Sequence, residues 1–295
     1  MPSKSEIICR LCGSRKLNLV QKGSKDCNSL NSESFAITDS NYGEITDLYQ
    51  CEDCDLLQCH GINDLNCYYE SLVDKDYEAG RKERSIQQMK VLEILCGYKS
   101  SGRLLDVGAG SGILVEQALK MGFEAEGVEP SRWLVEKALE RKLIVHNAIF
   151  PSEKITSKYE VITLVDIIEH VDNPVEVLCA ARNLLTKDGI GVVVTPDVDS
   201  FFARLLKRKW WHYRIAHVNY FSLCTINMAL RQAGLESLAV FRPKWYFSAS
   251  YLAIRVMQYF PKCLRFTPPS FLNKIIIPLN LFDSYMIIFR RRDGL

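Results

Sequence analysis

The sequence predicts an α/β protein: a parallel sheet covered by helices on both faces, with a small cysteine-bearing segment ahead of it. Three observations predict this. From Arg103 onward short apolar runs alternate with helical stretches; a glycine-rich turn follows the first of those runs; and residues 1–65 are rich in Cys, Ser and Asn with little helical periodicity. The 295 residues, 47% hydrophobic and 24% charged, exclude a disordered, collagen-like or disulfide-miniprotein class. The first twenty residues lack the apolar core of a secretory signal, and no apolar run reaches the ~18 to 20 residues of a spanning helix, so a cytoplasmic protein is expected.

Residues 1–65 read as a zinc-ribbon-like domain. Cys9 and Cys12 pair as one CxxC, Cys51 and Cys54 as another, with 38 residues between them. Each pair can turn two thiolates toward one tetrahedral ion, so the four close a structural zinc site. In a reducing compartment eleven cysteines point to metal ligands and buried thiols before disulfides. Cys27, Cys59 and His60 are left as spare groups, and the long interval is expected to be a β-rich excursion or a loop. Residues 66–100 read as a helical linker with Tyr69, Leu72, Tyr77, Ile86, Leu92 and Leu95 among its apolar positions.

The runs RLLDV, FEAEGVE, LIVHNAI, YEVITLVD and GIGVVVTP read as strands, and the stretches between several of them as helices. Asn173 followed by Pro174 marks one helix start, Ser222 another, and Gly234 an end. The strand Arg103–Val107 carries Asp106 and runs into Gly108, Ala109, Gly110, Ser111 and Gly112, a turn where backbone comes close to a ligand. A dinucleotide fingerprint would need glycine at position 113, which is Ile113, and no Gly-Lys-Ser/Thr follows for a phosphate loop. Glu129 stands seventeen residues beyond Gly112, at the end of the next strand, where a carboxylate can accept both hydroxyls of a ribose. The plainer alternative is a tight turn, with Glu129 serving the helix that begins at Ser131.

Taken together, LLDVGAGSG, GVEPS, ITLVDIIEHVDNP and LLTKDGIGVVVTPDVDS resemble successive motifs of the class I S-adenosylmethionine-dependent methyltransferases. The resemblance covers about residues 68–242 and the final strand. It implies a Rossmann-like seven-stranded methyltransferase sheet, six strands parallel and one antiparallel, the last supplied by SYMIIFRR, in a domain over 101–295 with an aromatic and basic insertion near 243–282. It also implies a cofactor set: Asp106, Gly108, Ala109, Gly110 and Gly112 around the methionine part, Glu129 and Pro130 at the ribose, Asn147, Ala148 and Ile149 beside the adenine, and Asp166. The cysteine-bearing segment and its Tyr-rich link resemble the amino-terminal part of sugar methyltransferases.

Methyl transfer from a sulfonium needs alignment and, for a hydroxyl acceptor, a proton acceptor. His170 lies just past the fourth strand of the parallel series, at the carboxyl edge where open α/β sheets bind ligands. Capping or shaping of that loop by Glu169 and His170 is an equal alternative. The segment HYRIAHVNYFS resembles an H-x-x-x-F-S stretch found in relatives of the ubiquinone-pathway O-methyltransferases and in enzymes that modify surface sugars. It makes His217 the second candidate, against a structural histidine beside a helix start.

Charge points to the acceptor. Residues 1–199 carry 22 Lys and Arg against 32 Asp and Glu, a balance of −10, whereas residues 200–295 carry 15 against 3, a balance of +12. Between Asp199 and Glu236 there is no acid, and Arg204, Lys207, Arg208, Lys209 and Arg214 alternate with Trp210, Trp211 and Tyr213. That mixture suits a small anionic acceptor, such as a nucleotide- or lipid-linked sugar phosphate. The stretch 245–280 has the composition of a helix lying on a membrane, or of a lid, and Arg255, Lys262, Pro268, Pro269 and Lys274 forbid it to span. A quinone-type O-methyltransferase is one alternative function. Methylation of RNA, gripped by the ribbon, is another, but the run LVDIIEH is not the Asn/Asp-Pro-Pro-aromatic motif of base amino methylation, so nucleic acid is disfavoured.

Overall fold

The computed structural model describes residues 7–38, 41–62, 64–257, 261 and 268–292. Lys262, together with 258–260 and the rest of 262–267, lies outside the described residues. The chain opens with three strands, β1 (Leu17–Gln21), β2 (Leu48–Cys51) and β3 (Leu57–Cys59), paired antiparallel. Among the described residues, the interval between β1 and β2 contains two short 3₁₀ turns and no further strand. Three helices follow: α1 (Leu65–Glu70), α2 (Lys75–Ala79) and α3 (Arg81–Cys96), so the predicted helical linker is three pieces.

The parallel series then runs β4 (Arg103–Val107), α4 (Ile113–Lys120), β5 (Glu124–Glu129), α5 (Arg132–Leu139), β6 (Val145–Asn147), β7 (Tyr159–Val165), α6 (Pro174–Leu184) and β8 (Leu185–Pro196). It is followed by α7 (Phe201–Leu206), β9 (Asn219–Tyr220), α8 (Leu223–Gln232) and β10 (Leu235–Phe241). A small two-stranded sheet, β11 (Trp245–Ser248) with β12 (Ile276–Leu279), brackets α9 (Ala249–Met257), and β13 (Ser284–Arg291) closes the described chain. The large sheet has the order β10-β13-β8-β7-β4-β5-β6. Only β13 runs antiparallel to its neighbours, which is the predicted six-plus-one arrangement.

Alternation along the strands divides the core. Leu105, Val107, Ile162, Leu164, Val193 and Ile287 face the layer of α6 and α8. Leu104, Val161, Val192, Val194 and Ile288 face α3, α4 and α5. The caps expected from sequence are formed: Asn173 Oδ1 accepts Glu176 N at 3.1 Å with Pro174 at the first helical position, and Ser222 Oγ accepts Thr225 N at 3.2 Å. Gly234 ends α8 with φ +70, the left-handed conformation that favours glycine after a helix.

The amino-terminal strands are not free of the sheet domain. Strand β9 adds to β3, pairing Leu57 with Tyr220 and Gln58 with Asn219, so the small sheet takes its fourth strand from the second half of the chain. Cys9, Leu11, Cys51, Cys54 and Leu56 share one apolar cluster with Leu105, Ile168, Val177 and Phe221.

Candidate active site

A cavity of about 360 Å³ opens at the carboxyl edge of the parallel strands. Of the sequence-predicted residues, Asp106, Gly108, Ala109, Glu129, Pro130, Ala148, Ile149, Asp166, His170 and His217 line it. Gly110, Gly112 and Asn147 are not among its lining residues. Gly108, Gly110 and Gly112 hold φ of +71, +55 and +74, so an L side chain at any of them would strain the turn. A Cβ at Gly108 would also drive into Ile167. Asn147 Nδ2 donates to Pro130 O at 2.7 Å and Glu129 O at 3.2 Å, fixing the chain around the carboxylate instead of facing the cavity.

Glu129 is the hub of this half. Its Oε2 accepts Gly110 N at 2.9 Å and its Oε1 accepts Ser131 N at 2.8 Å, tying the turn of one β-α unit to the next. Burial pushes its carboxyl up to about 7 against those two N–H donors. Burial likewise pushes Asp106 up to about 7, opposed by the Thr163 hydroxyl, which donates to Asp106 Oδ1 at 2.6 Å. Two buried carboxyls poised near neutrality suit a ligand that brings hydroxyls and positive charge. Gly127, which sequence reasoning passed over, lets the turn approach: a Cβ there would collide with Ala109.

The second half of the cavity is built from the loop after β7 and the segment before β9. Asp166 directly follows β7 with φ +54, and burial raises its carboxyl to about 7 while Arg84 and Arg214 pull it back. Glu169 is 1% exposed; Oε2 accepts Thr195 Oγ1 at 3.0 Å, and Oε1 has no partner among the described residues. Burial, then the neighbouring Asp166, raises its carboxyl well above the ordinary range.

His170 Nδ1 lies 2.9 Å from Ala216 O and 2.8 Å from the Tyr69 hydroxyl. A carbonyl only accepts, so Nδ1 carries the proton and Nε2 keeps the free lone pair. Tyr69 in turn donates to Ala216 O at 3.3 Å. Burial, with Arg214 adding, pushes His170 down to about 3, and burial pushes His217 well below its ordinary value, so both imidazoles are neutral. Their rings meet edge to face at 4.7 Å, and His217 Nδ1 has no partner among the described residues.

Sequence reasoning underused four neighbours, Trp211, His212, Arg214 and Asp283. His212 Nε2 lies 3.2 Å from Asp283 Oδ2, and Trp211 Nε1 donates to the same oxygen at 2.8 Å. Although burial raises it, Asp283 is held below the ordinary carboxyl range by His212 and Trp211. Arg214 Nη2 donates to Ala36 O at 2.6 Å and Ile37 O at 3.1 Å, closing the cavity with the amino-terminal segment. The signal available was the density of His, Trp and Arg in 210–217. Asp283 was one of only three acids after residue 199.

The four predicted metal ligands also meet. The Sγ atoms of Cys9, Cys12, Cys51 and Cys54 all lie within 4.8 Å of one another, with Cys9–Cys54 and Cys12–Cys51 at 3.5 Å. A tetrahedral zinc with ~2.3 Å bonds to sulfur needs sulfurs ~3.8 Å apart, so the set fits.

The sequence profile of the family described as "Methyltransferase domain" matches residues 81–240. Ubiquinone biosynthesis O-methyltransferase of Haemophilus ducreyi is 30% identical over 100 residues, covering 30% of this chain and 42% of that protein. Its counterpart in Salmonella paratyphi A is 30% identical over 128 residues, 40% of this chain and 49% of that protein. The chain thus spans about half the length of these curated relatives. Among solved structures, a possible histamine N-methyltransferase of Thermotoga maritima has a TM-score of 0.47 at 20% identity, covering 74% of this chain and 95% of that one. An S-adenosylmethionine-dependent methyltransferase of Clostridium acetobutylicum has a TM-score of 0.48 at 12% identity, covering 70% and 92%. With the profile running over more than half of its length, the chain belongs to the methyltransferase domain family.

Proposed function

We propose that the protein transfers a methyl group from S-adenosylmethionine to a hydroxyl of a small anionic acceptor, with a nucleotide- or lipid-linked sugar as the acceptor class. The observation that carries the reading is the left-handed glycine turn locked to Glu129 inside one cavity with Asp106 and two neutral histidines. When bound, S-adenosylmethionine supplies an electrophilic methyl on a sulfonium. Asp106 and the 108–112 turn would hold its methionine part, Glu129 and Pro130 its ribose, and Ala148 and Ile149 its adenine, with Asn147 fixing that wall and Asp166 at the mouth. His170 would take the acceptor proton at Nε2, because its Nδ1–H is committed to Ala216 O. Being buried and weakly basic, it would do so as the methyl reaches the oxygen and the hydroxyl becomes strongly acidic. His217 would support it from the adjoining face.

Arg84 and Arg214 line the mouth beside Trp211 and Trp245, a combination that favours an anionic acceptor with a flat face. Zinc is the proposed occupant of the four-cysteine site, with a structural role. In the 245–280 segment, Trp245, Phe247 and Leu279 line the cavity while Ile254, Val256 and Phe271 are exposed. That supports a cover whose outer side touches a membrane surface peripherally; among the described residues no helix is long and apolar enough to cross one.

Incubation with methyl-labelled S-adenosylmethionine and separate pools of nucleotide sugars, lipid-linked sugars and catechols tests the reading. Label in an ether linkage on a sugar is expected. Label confined to phenols would overturn the sugar assignment. Flotation with anionic liposomes tests the surface contact, and no association would remove it.

A further inference from the structure

Arg10 sits between the two cysteines of the first CxxC pair, yet its guanidinium leaves the ribbon. Nη1 donates to Cys59 O at 2.7 Å and to Val218 O at 3.2 Å, and Nη2 meets Asp172 Oδ1 at 3.2 Å. Its backbone N–H donates to Gln58 Oε1 at 3.0 Å, on the strand that pairs with β9. One side chain therefore ties the cysteine site to β3, to the residue just before β9 and to the end of the loop after β7.

The segment it braces is the one that sets the histidines. Val218 N donates to Glu169 O at 2.9 Å, and Asn219 Nδ2 donates to Val171 O at 2.7 Å. Two residues before Val218, Ala216 O fixes the protonated nitrogen of His170. His217 lies between them. A shift of the 216–219 segment would remove the acceptor that keeps the His170 proton on Nδ1, and the free lone pair would no longer stay at Nε2.

We infer that Arg10 is a positioning residue: it transmits the order of the four-cysteine site to the 216–219 segment and so locks His170 in the Nδ1–H form. A separate zinc module tethered by a linker would need no such contact. An exposed surface ion pair alone would contribute little, but here two backbone carbonyls, one on β3 and one on the residue before β9, share the same largely buried guanidinium. The inference rests on the methyl-transfer reading only in calling His170 the base.

The test uses the whole 295-residue chain, zinc-loaded and labelled with nitrogen-15. Imidazole proton–nitrogen correlation, assigned with His170→Gln, reads the tautomer, and amide hydrogen exchange reads residues 168–171 and 216–219. Arg10→Ala is expected to move His170 toward the ordinary Nε2–H form and to lower protection in both segments ~10-fold. Arg10→Lys, which can meet Asp172 but cannot bridge both carbonyls, is expected to restore it in part. Removing the metal with a chelator, checked by metal analysis, is expected to reproduce the Arg10→Ala spectrum.

An unchanged Nδ1–H signal in Arg10→Ala or in the stripped protein would overturn the inference. If Arg10→Ala yields no folded protein, Asp172→Asn at the exposed end of the contact decides: a smaller shift in the same direction supports it, none overturns it. Calorimetry with S-adenosylmethionine runs alongside on the wild type. Absence of binding there would sink the methyl-transfer reading, whereas the imidazole spectrum alone decides the role of Arg10.

Discussion

The two halves of the cavity are built on opposite principles. Around the glycine turn, Asp106 and Glu129 have hydrogen-bond partners supplied by Thr163, Gly110 and Ser131. Across the cavity, Glu169 Oε1, His217 Nδ1 and Arg214 Nε are buried with no partner among the described residues. An unpaired buried polar atom costs about 1 to 3 kcal/mol, so the second half holds free energy that a polar ligand can recover. The contrast teaches which half is preorganised for one fixed ligand and which is shaped by whatever acceptor arrives.

The sharpest way to break the comparison is to exchange the effects. His170→Ala is expected to slow methyl transfer by about 10² to 10⁴ while leaving the affinity for S-adenosylmethionine within about twofold, read by steady-state rates and calorimetry. Glu129→Ala is expected to weaken cofactor affinity about 100-fold, because hydrogen bonds to a charged partner contribute about 1.5 to 3 kcal/mol each. If Glu129→Ala left affinity intact, or His170→Ala destroyed it, the two halves would not be distinct.

Acidity gives a third and smaller effect. The carboxyls of Asp106 and Glu129 are raised to about 7 in the free protein, and a cationic ligand favours their ionised forms. Binding therefore releases protons, and affinity falls as pH drops through 7. For each carboxyl that must ionise, the loss between pH 8 and pH 6 is about tenfold. Affinity that is flat over that range would show that neither carboxyl changes state on binding. The smallest effect belongs to Asn173, whose cap lies outside the cavity: Asn173→Ala should cost about 1 kcal/mol in denaturant unfolding and leave cofactor affinity unchanged.

Much of the first half was legible in the sequence because its determinants are local. A strand, three glycines in a left-handed turn and a carboxylate at the next strand end lie within 27 positions, from Arg103 to Glu129. Period-two alternation in β4, β7 and β8 likewise follows from which face each residue covers. The cysteine pairs were legible for the same reason, since CxxC spacing is set within one knuckle. The second half was not, because it is assembled over long separations. Asp283 reaches His212 across 71 positions, Tyr69 reaches His170 across 101, and Arg10 reaches Val218 across 208. No local pattern announces such contacts. Asn147 shows the converse limit: its place at the end of β6 was readable, but its amide turns back to the Glu129 and Pro130 carbonyls.

Calorimetric titration of the zinc-loaded protein with S-adenosylhomocysteine, wild type beside Glu129→Gln, tests the account most directly. The account predicts one-site binding to the wild type and at least a tenfold loss in the variant, since the amide keeps the shape but gives up the charge. No binding to the wild type, or equal binding to both, would contradict it.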